Sequence, residues 1–136
     1  MLCLSGAMVP PLLTSCQSTY YTQGSLLPNG IAVLKSEFLY LKKDQQMIRQ
    51  YIIVKNESLT FPIYLYRFSE NEYSALLMKC THKGAELNAS GDHLHCPSHG
   101  SEFDNRGTVS HGPAEKDLRS FKISADQEKI FIDMRS

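Results

Sequence analysis

The sequence lacks several features that identify common classes of protein. It contains no Trp, and its 14 basic side chains are balanced by 14 acidic ones, so the formal net charge is zero. A chain without excess positive charge is not typical of general nucleic-acid binders or of proteins that hold membranes through a polybasic patch. We therefore expect no nucleic-acid partner, and we look for chemistry in particular residues.

Charged side chains are missing from the first 34 residues. Residues 1–15 are apolar but too short to span a bilayer, and Pro10-Pro11 would break a helix. A secretory signal segment fits this pattern. Its end, Leu13-Thr14-Ser15-Cys16, resembles the bacterial lipobox, in which the Cys is lipidated after cleavage. We predict a lipoprotein signal, a membrane anchor at Cys16 and a location in the bacterial cell envelope, facing the periplasm or the outside.

The signal prediction has a competing interpretation. Signal segments normally begin with Lys or Arg, and this one does not. Either the true start differs from the Met at position 1, or Cys3 and Cys16 are ordinary thiols in a disordered tail.

Residues 16–30 are rich in Ser, Thr, Gln, Gly and Asn and show no apolar periodicity, which predicts a flexible tether.

Residues 31–136 are predicted to form one all-β domain. Short runs of β-branched and aromatic residues alternate with turn signals, and no stretch keeps a helical period for long. We predict a small antiparallel sandwich or barrel with a site built from loops at one end. The expected strands are residues 31–34, 38–41, 50–55, 63–68, 73–78, 118–123 and 129–133.

Candidate metal ligands are concentrated between residues 80 and 99. They form two pairs, Cys80-Thr81-His82 and Cys96-Pro97-Ser98-His99, each with one thiol and one imidazole. Ser90-Gly91-Asp92 lies between the pairs and predicts a hairpin turn, with Leu87 and Leu94 facing each other. Since a hairpin brings its two ends together, the two pairs should be neighbours in space.

Two chemistries could use two Cys and two His. A structural zinc site, in a module for protein interaction, would take all four in a tetrahedron. A two-iron, two-sulfide cluster can instead have His in place of Cys on one iron. The number of ligands alone does not separate these alternatives.

The flanking residues favour the iron–sulfur cluster. The segments CTHKGAEL and CPSHGSEFDNRGTVSHGPA resemble the Rieske iron–sulfur family over residues 80–114. The resemblance implies an all-β fold and one [2Fe–2S] cluster, with Cys80 and Cys96 on a buried iron. It places His82 and His99 on the outer iron, facing solvent or a redox partner. It also implies that the Gly-Pro-Ala segment near residue 113 covers one side of the cluster.

The sequence departs from the high-potential members of that family. Their cluster loops carry two further Cys, which form a disulfide, and this chain has Ala85 and Ser98 instead. Ser101 matches the hydroxyl that hydrogen-bonds a bridging sulfide in the family. Phe103 replaces a Tyr that hydrogen-bonds a Cys sulfur. We therefore expect an intermediate reduction potential, below that of the high-potential members, within the range of about −150 to +300 mV known for Rieske clusters.

The resemblance implies one-electron transfer, either by an envelope-anchored carrier or by the electron-transfer subunit of an oxidoreductase. Expected partners are redox proteins, of the cytochrome b type or oxidoreductase subunits. Rieske oxygenases need a second domain with mononuclear iron, so no catalysis is expected from this chain alone. His93, His95 and His111 match no ligand position of the family and are expected to be bystanders.

Overall fold

The computed structural model describes residues 18–136, so the predicted signal segment and Cys16 lie outside the described residues. In the described chain, strands dominate and the helical part is one 3₁₀ turn, Lys35–Phe38. The strands are β1 Tyr21–Thr22, β2 Ser25–Leu27, β3 Gly30–Leu34, β4 Leu39–Lys42, β5 Gln45–Ile48, β6 Tyr51–Val54, β7 Ile63–Ser69, β8 Glu72–Leu77, β9 Asn88–Ser90, β10 His93–His95, β11 Glu102–Asp104, β12 Val109–His111, β13 Lys122–Ala125 and β14 Lys129–Asp133.

Three sheets of four strands make up the body. Their orders are β1-β6-β7-β8, β13-β14-β3-β2 and β12-β11-β10-β9, and every pairing is antiparallel except β1 with β6. The predicted all-β class with a separate ligand-carrying part is confirmed. The third sheet holds the residues between the two Cys/His pairs.

Strand β7 explains how the three sheets pack. Its buried run from Ile63 to Tyr66 would be unusual in a strand with one wet face. Successive side chains point to opposite faces, and the two faces contribute to different cores. Ile63 and Leu65 pack with β3 and β14, whereas Tyr64 and Tyr66 pack with the third sheet. The sheet containing β7 is therefore the middle layer of the molecule.

The tyrosines of this region are structural. Tyr64 stacks on Tyr51 and Tyr66, with ring centroids 5.1 and 5.9 Å apart, and its hydroxyl donates a 2.7 Å hydrogen bond to the Gly91 carbonyl. Burial is the largest cause that raises the pKa of Tyr64 above its ordinary value. These contacts join the middle sheet to the β9–β10 turn.

The sequence prediction has no strand between residues 78 and 118, where the structure has β9 to β12, and further details differ as well. Strands β1 and β2 lie inside the predicted tether, so the paired β structure starts before residue 31. Leu94 lies opposite Ala89, and not opposite Leu87. The turn holds only Gly91 and Asp92, and Gly91 has a φ of +60°, which favours glycine.

The strand predicted at residues 118–123 is shorter and starts later, as β13. Residues 118–121 instead run along the edge of β8 through a single bridge between Leu76 and Ser120. Leu118 and Phe121 are three residues apart in an extended segment, so they face opposite sides. Leu118 packs in the core beside the third sheet, and Phe121 packs in the core that includes β3 and β14.

Strands β4 and β5 form a separate two-stranded hairpin. They pair with each other and with no other strand of residues 18–136. Its tip residues, Lys43 and Asp44, both have positive φ, at 50° and 62°. No helix in the part of the chain described here is long and apolar enough to cross a bilayer.

Candidate metal centre

The first Cys/His pair lies in a tight loop between β8 and β9, the first ligand loop (residues 80–85). The Cys80 N–H donates a 2.8 Å hydrogen bond to the Ala85 carbonyl, and the Cys80 carbonyl accepts one of 2.9 Å from Gly84. The loop therefore closes on its own backbone. This closure fixes the direction in which its side chains leave the main chain.

The second pair lies in an equivalent loop after β10, the second ligand loop (residues 96–101). Here the Cys96 N–H donates to the Ser101 carbonyl at 2.7 Å, and Gly100 donates to the Cys96 carbonyl at 3.0 Å. Gly84 and Gly100 occupy matching positions with φ of +80° and +84°. Only glycine adopts this conformation readily, which explains the glycine in each motif.

The two loops bring the four candidate ligands together, as the hairpin between them predicts. Cys80 and Cys96 are each 2% exposed, and neither forms a disulfide. His82 is partly exposed and His99 is exposed. Their rings lie 5.0 Å apart, centroid to centroid, and are nearly perpendicular at 88°. Two sulfurs therefore lie in the core, and two imidazoles lie towards the surface.

The environment of one His82 ring nitrogen fits a bound metal at this place. His82 Nδ1 is buried and has no hydrogen-bond partner in the structure. A buried polar atom without a partner is costly and calls for an explanation. A neutral imidazole nitrogen is a common metal ligand, and iron would satisfy it.

The sulfur environment fits as well. Burial by itself raises the pKa of the Cys96 thiol, but the backbone N–H groups of Ser98 and His99 donate hydrogen bonds to the sulfur. The side chain of Cys80 acts in the same direction, and the net effect lowers the pKa of Cys96. A thiolate is the form in which Cys binds metals, so the loop favours the ligand state.

The four candidate ligands form one pair of thiols in the core and one pair of imidazoles towards the surface. Within residues 18–136, no group of three or more His, Cys, Asp or Glu side chains converges on a point where a single ion could bind. A tetrahedral zinc site needs such convergence. A [2Fe–2S] cluster spreads four ligands over two irons and two sulfides, so it does not require all four ligands to meet at one point.

A third loop, residues 112–117, is tied to both ligand loops. The Ala114 N–H donates a 2.9 Å hydrogen bond to Ser101 Oγ in the second ligand loop. The Thr81 hydroxyl of the first ligand loop donates a 2.5 Å hydrogen bond to the Lys116 carbonyl. The third loop thus links the two ligand loops by hydrogen bonds. A disulfide cannot link them, because Ala85 and Ser98 have no sulfur atom. The sequence motif contains Thr81 but gives no sign of this bond.

Phe103 on β11 is fully buried opposite Leu94, in the same core as Cys96. His93 and His95 share the other face of β10 and are partly exposed, and His93 lies 3.3 Å from Asp92. His111 is exposed on β12. None of these three histidines joins the ring pair formed by the predicted ligands.

Fold and site together define a small iron–sulfur electron-transfer domain. The Rieske [2Fe-2S] domain profile matches residues 21–122. The chain belongs to this family, and the match begins at β1.

Curated relatives match part of the chain. A cytochrome b6-f complex iron-sulfur subunit from Synechococcus elongatus is 40% identical over 55 residues, covering 39% of this chain and 31% of its own length. The oxygenase component of dicamba O-demethylase from Stenotrophomonas maltophilia is 36% identical over 84 residues, covering 54% and 25%. The chain thus matches less than a third of the length of either relative.

A solved structure is similar over most of its own length. The plasma membrane Rieske protein from the cyanobacterium Synechocystis superposes with a TM-score of 0.53 and 25% identity, covering 62% of this chain and 86% of that one. The Rieske fold, the [2Fe–2S] cofactor and the function in electron transfer are confirmed. Nothing supports the alternative of a zinc-binding interaction module.

Proposed function

We propose that this chain transfers single electrons through a cluster bound by Cys80, Cys96, His82 and His99. The observation that carries the assignment is the pairing of two buried thiols with two outward imidazoles on equivalent loops. The thiols would hold the inner iron, and the imidazoles would hold the outer iron. When bound, the cluster supplies a site that accepts and releases one electron.

The residues around the ligands control access to that site. The buried core behind Cys80 and Cys96 excludes water from the sulfur side, and it includes Leu94 and Phe103. His99 is exposed, so a partner protein can approach on the imidazole side. Electrons therefore enter and leave at the surface formed by the two ligand loops.

The reduction potential is expected to be intermediate within the family. Two neutral imidazoles in place of thiolates make the cluster less negative and favour its reduction. Ser101 Oγ already accepts a hydrogen bond from Ala114, so its own hydrogen is left to donate to the cluster. Phe103 offers no hydroxyl, and no disulfide can join Ala85 to Ser98. One of two stabilising hydroxyls is therefore retained.

The sequence and the relatives support the attachment and the partners that we propose. A lipid on Cys16 would hold the protein on the membrane of the cell envelope, in line with a similar plasma membrane Rieske protein. Expected partners are cytochrome b-type or oxidoreductase subunits, in line with relatives from a cytochrome b6-f complex and an oxygenase. We expect no catalysis by this domain alone, because oxygenases use an additional mononuclear iron.

Spectroscopy of the purified full chain tests the ligand assignment. We expect visible iron–sulfur absorption, and a paramagnetic resonance signal of low average g on reduction. Cys80→Ala and His99→Ala should abolish both, whereas His111→Ala, the matched control, should leave both unchanged. A colourless protein with stoichiometric zinc, or an intact cluster in His99→Ala, would overturn the assignment.

A further inference from the structure

The β4–β5 hairpin exposes an unusual amount of apolar surface. The described chain exposes nine large apolar or aromatic side chains, and four of them, Leu39, Leu41, Met47 and Ile48, lie on these two four-residue strands. Leu41 is 74% exposed. A contiguous patch of exposed apolar side chains usually marks a site where another molecule binds, whereas single scattered ones need no explanation.

The register of the hairpin gathers these side chains. Leu39 lies directly opposite Ile48, and Leu41 is on the same face as Leu39 because it is two residues further along the strand. Met47 lies on the other face, opposite Tyr40. The hairpin therefore has exposed apolar side chains on both faces. Entry into a lipid surface would remove these side chains from water.

The charges of the hairpin suit an anionic lipid surface. Lys42 and Lys43 lie at its tip beside Asp44, and Arg49 follows its second strand. This stretch therefore has three basic side chains and one acidic side chain in a chain of zero net charge. Anionic lipids attract Lys and Arg side chains, and apolar side chains beside them become buried at the boundary between headgroups and acyl chains.

The hairpin is close to the place where the chain leaves the described structure. The Arg49 guanidinium lies over the rings of Tyr20 and Tyr40, at 4.2 and 4.7 Å from their centroids. Tyrosines are enriched at the membrane interface. Only four residue steps separate Tyr20 from Cys16, so an extended chain spans at most about 14 Å between them. A lipid on Cys16 would hold the base of the hairpin near the bilayer.

The position of the hairpin also orients the ligand loops. Gln50, which follows the hairpin, has its side-chain oxygen 3.9 Å from the position that a Gly91 Cβ would occupy. Gly91 is in the turn of β9–β10, and the two ligand loops adjoin the opposite end of that strand pair. A membrane on the side of the β4–β5 hairpin would therefore lie nearer to the Gly91 turn than to the two ligand loops.

We propose that the β4–β5 hairpin inserts Leu39, Leu41 and Ile48 into the interface of an anionic bilayer. This contact rests on the proposed anchor at Cys16 and adds a second attachment point to it. Two attachment points fix an orientation, whereas one lipid chain leaves the domain free to rotate. The ligand loops then stay outside the bilayer, where a partner protein can reach them.

The absence of Trp gives a direct test, because a single introduced Trp reports only its own environment. Full-length Leu41→Trp is mixed with vesicles of phosphatidylglycerol and phosphatidylethanolamine, and its fluorescence emission is recorded. We expect a shift to shorter wavelength on binding. Leu26→Trp is the matched control, because Leu26 is 60% exposed on β2, outside the hairpin, and its emission should not change.

Partitioning into the same vesicles completes the test. Leu41→Asp should weaken vesicle binding about tenfold or more, since a Leu side chain loses its burial, whereas Leu26→Asp should leave it unchanged. Unchanged emission of Leu41→Trp with saturating vesicles would overturn the hairpin proposal. A concentration-dependent shift without vesicles would also overturn it, because a second copy would then cover the hairpin. The lipid on Cys16 is checked separately by mass, so its absence would overturn the anchor alone.

Discussion

The Ala114 backbone N–H donates a 2.9 Å hydrogen bond to Ser101 Oγ, and both residues are buried. The bond fixes the serine oxygen between the third loop and the second ligand loop. Because the oxygen acts as acceptor there, its own hydrogen can serve a different acceptor. The same side chain can therefore hold the third loop in place and donate a hydrogen bond to a bound cluster.

Ser101→Ala should affect both roles. It leaves the buried Ala114 N–H without a partner, at a cost of about 1–3 kcal/mol, and removes a donor to the cluster. We expect a lower melting temperature and a more negative midpoint in protein-film voltammetry. Ser101→Thr retains the hydroxyl and is the control. A midpoint that stays the same in Ser101→Ala would disprove the tuning role.

Phe103→Tyr should restore the second tuning hydroxyl. The side chain is fully buried, so the added hydroxyl needs a partner, and a Cys sulfur on the neighbouring loop can supply one. We expect a more positive midpoint in protein-film voltammetry. Phe103→Leu, which adds no hydroxyl, controls for repacking. A midpoint in the native chain equal to that of family members with both hydroxyls would contradict the intermediate value we propose.

Thr81→Val should weaken the attachment of the third loop. It removes the 2.5 Å hydrogen bond to the Lys116 carbonyl while retaining the shape of the side chain. A bond of this kind contributes about 0.5–1.5 kcal/mol, and we expect faster loss of visible absorption on warming. Thr81→Ser keeps the hydroxyl and should behave like the native chain. Equal rates of cluster loss in all three proteins would mean that the bond does not hold the loops.

Tyr64 should make the fold sensitive to alkaline pH. Burial raises its pKa in the folded chain above the ordinary value of 10.0, so the folded state favours the neutral phenol. This contribution to stability is complete below pH 10 and is lost as the pH rises further. Measured by circular dichroism, the melting temperature should fall more steeply above pH 10 in the native chain than in Tyr64→Phe. Identical slopes would disprove the effect.

Cys16→Ala should release the protein from membranes without changing its spectrum, because the ligand Cys are elsewhere. Fractionation followed by a high-salt wash measures the release. Cys3→Ala is the matched control, since cleavage of the predicted signal segment removes Cys3 from the mature protein. Retention of Cys16→Ala in the washed membranes at the native level would exclude a lipid at that residue as the main anchor.

Local patterns predict part of this structure well. The run from Ile63 to Phe68 and the run from Lys129 to Asp133 appear as strands because β-branched and aromatic residues suit a pleated, buried surface. Spacing and flanking residues predict the two Cys/His pairs as ligands, and the structure brings the pairs together. In both cases the information lies within a few consecutive residues.

Other features depend on contacts between distant residues. Thr81 and Lys116 are 35 positions apart, and no local pattern links a hydroxyl to that carbonyl. Leu118 and Phe121 suggested part of a longer strand, but the edge of β8 and the two cores decide where they lie. Strand β2 resembles a linker in composition, and only its pairing with β3 places it in a sheet.

Strand β7 has a consequence for how the molecule melts. Its side chains alternate between the two cores, so neither core can be dismantled without disturbing the other. The ligand-bearing part is therefore not a detachable module on an independent base. We expect a single cooperative thermal transition, in which loss of the cluster and loss of the distant β3–β14 packing occur together.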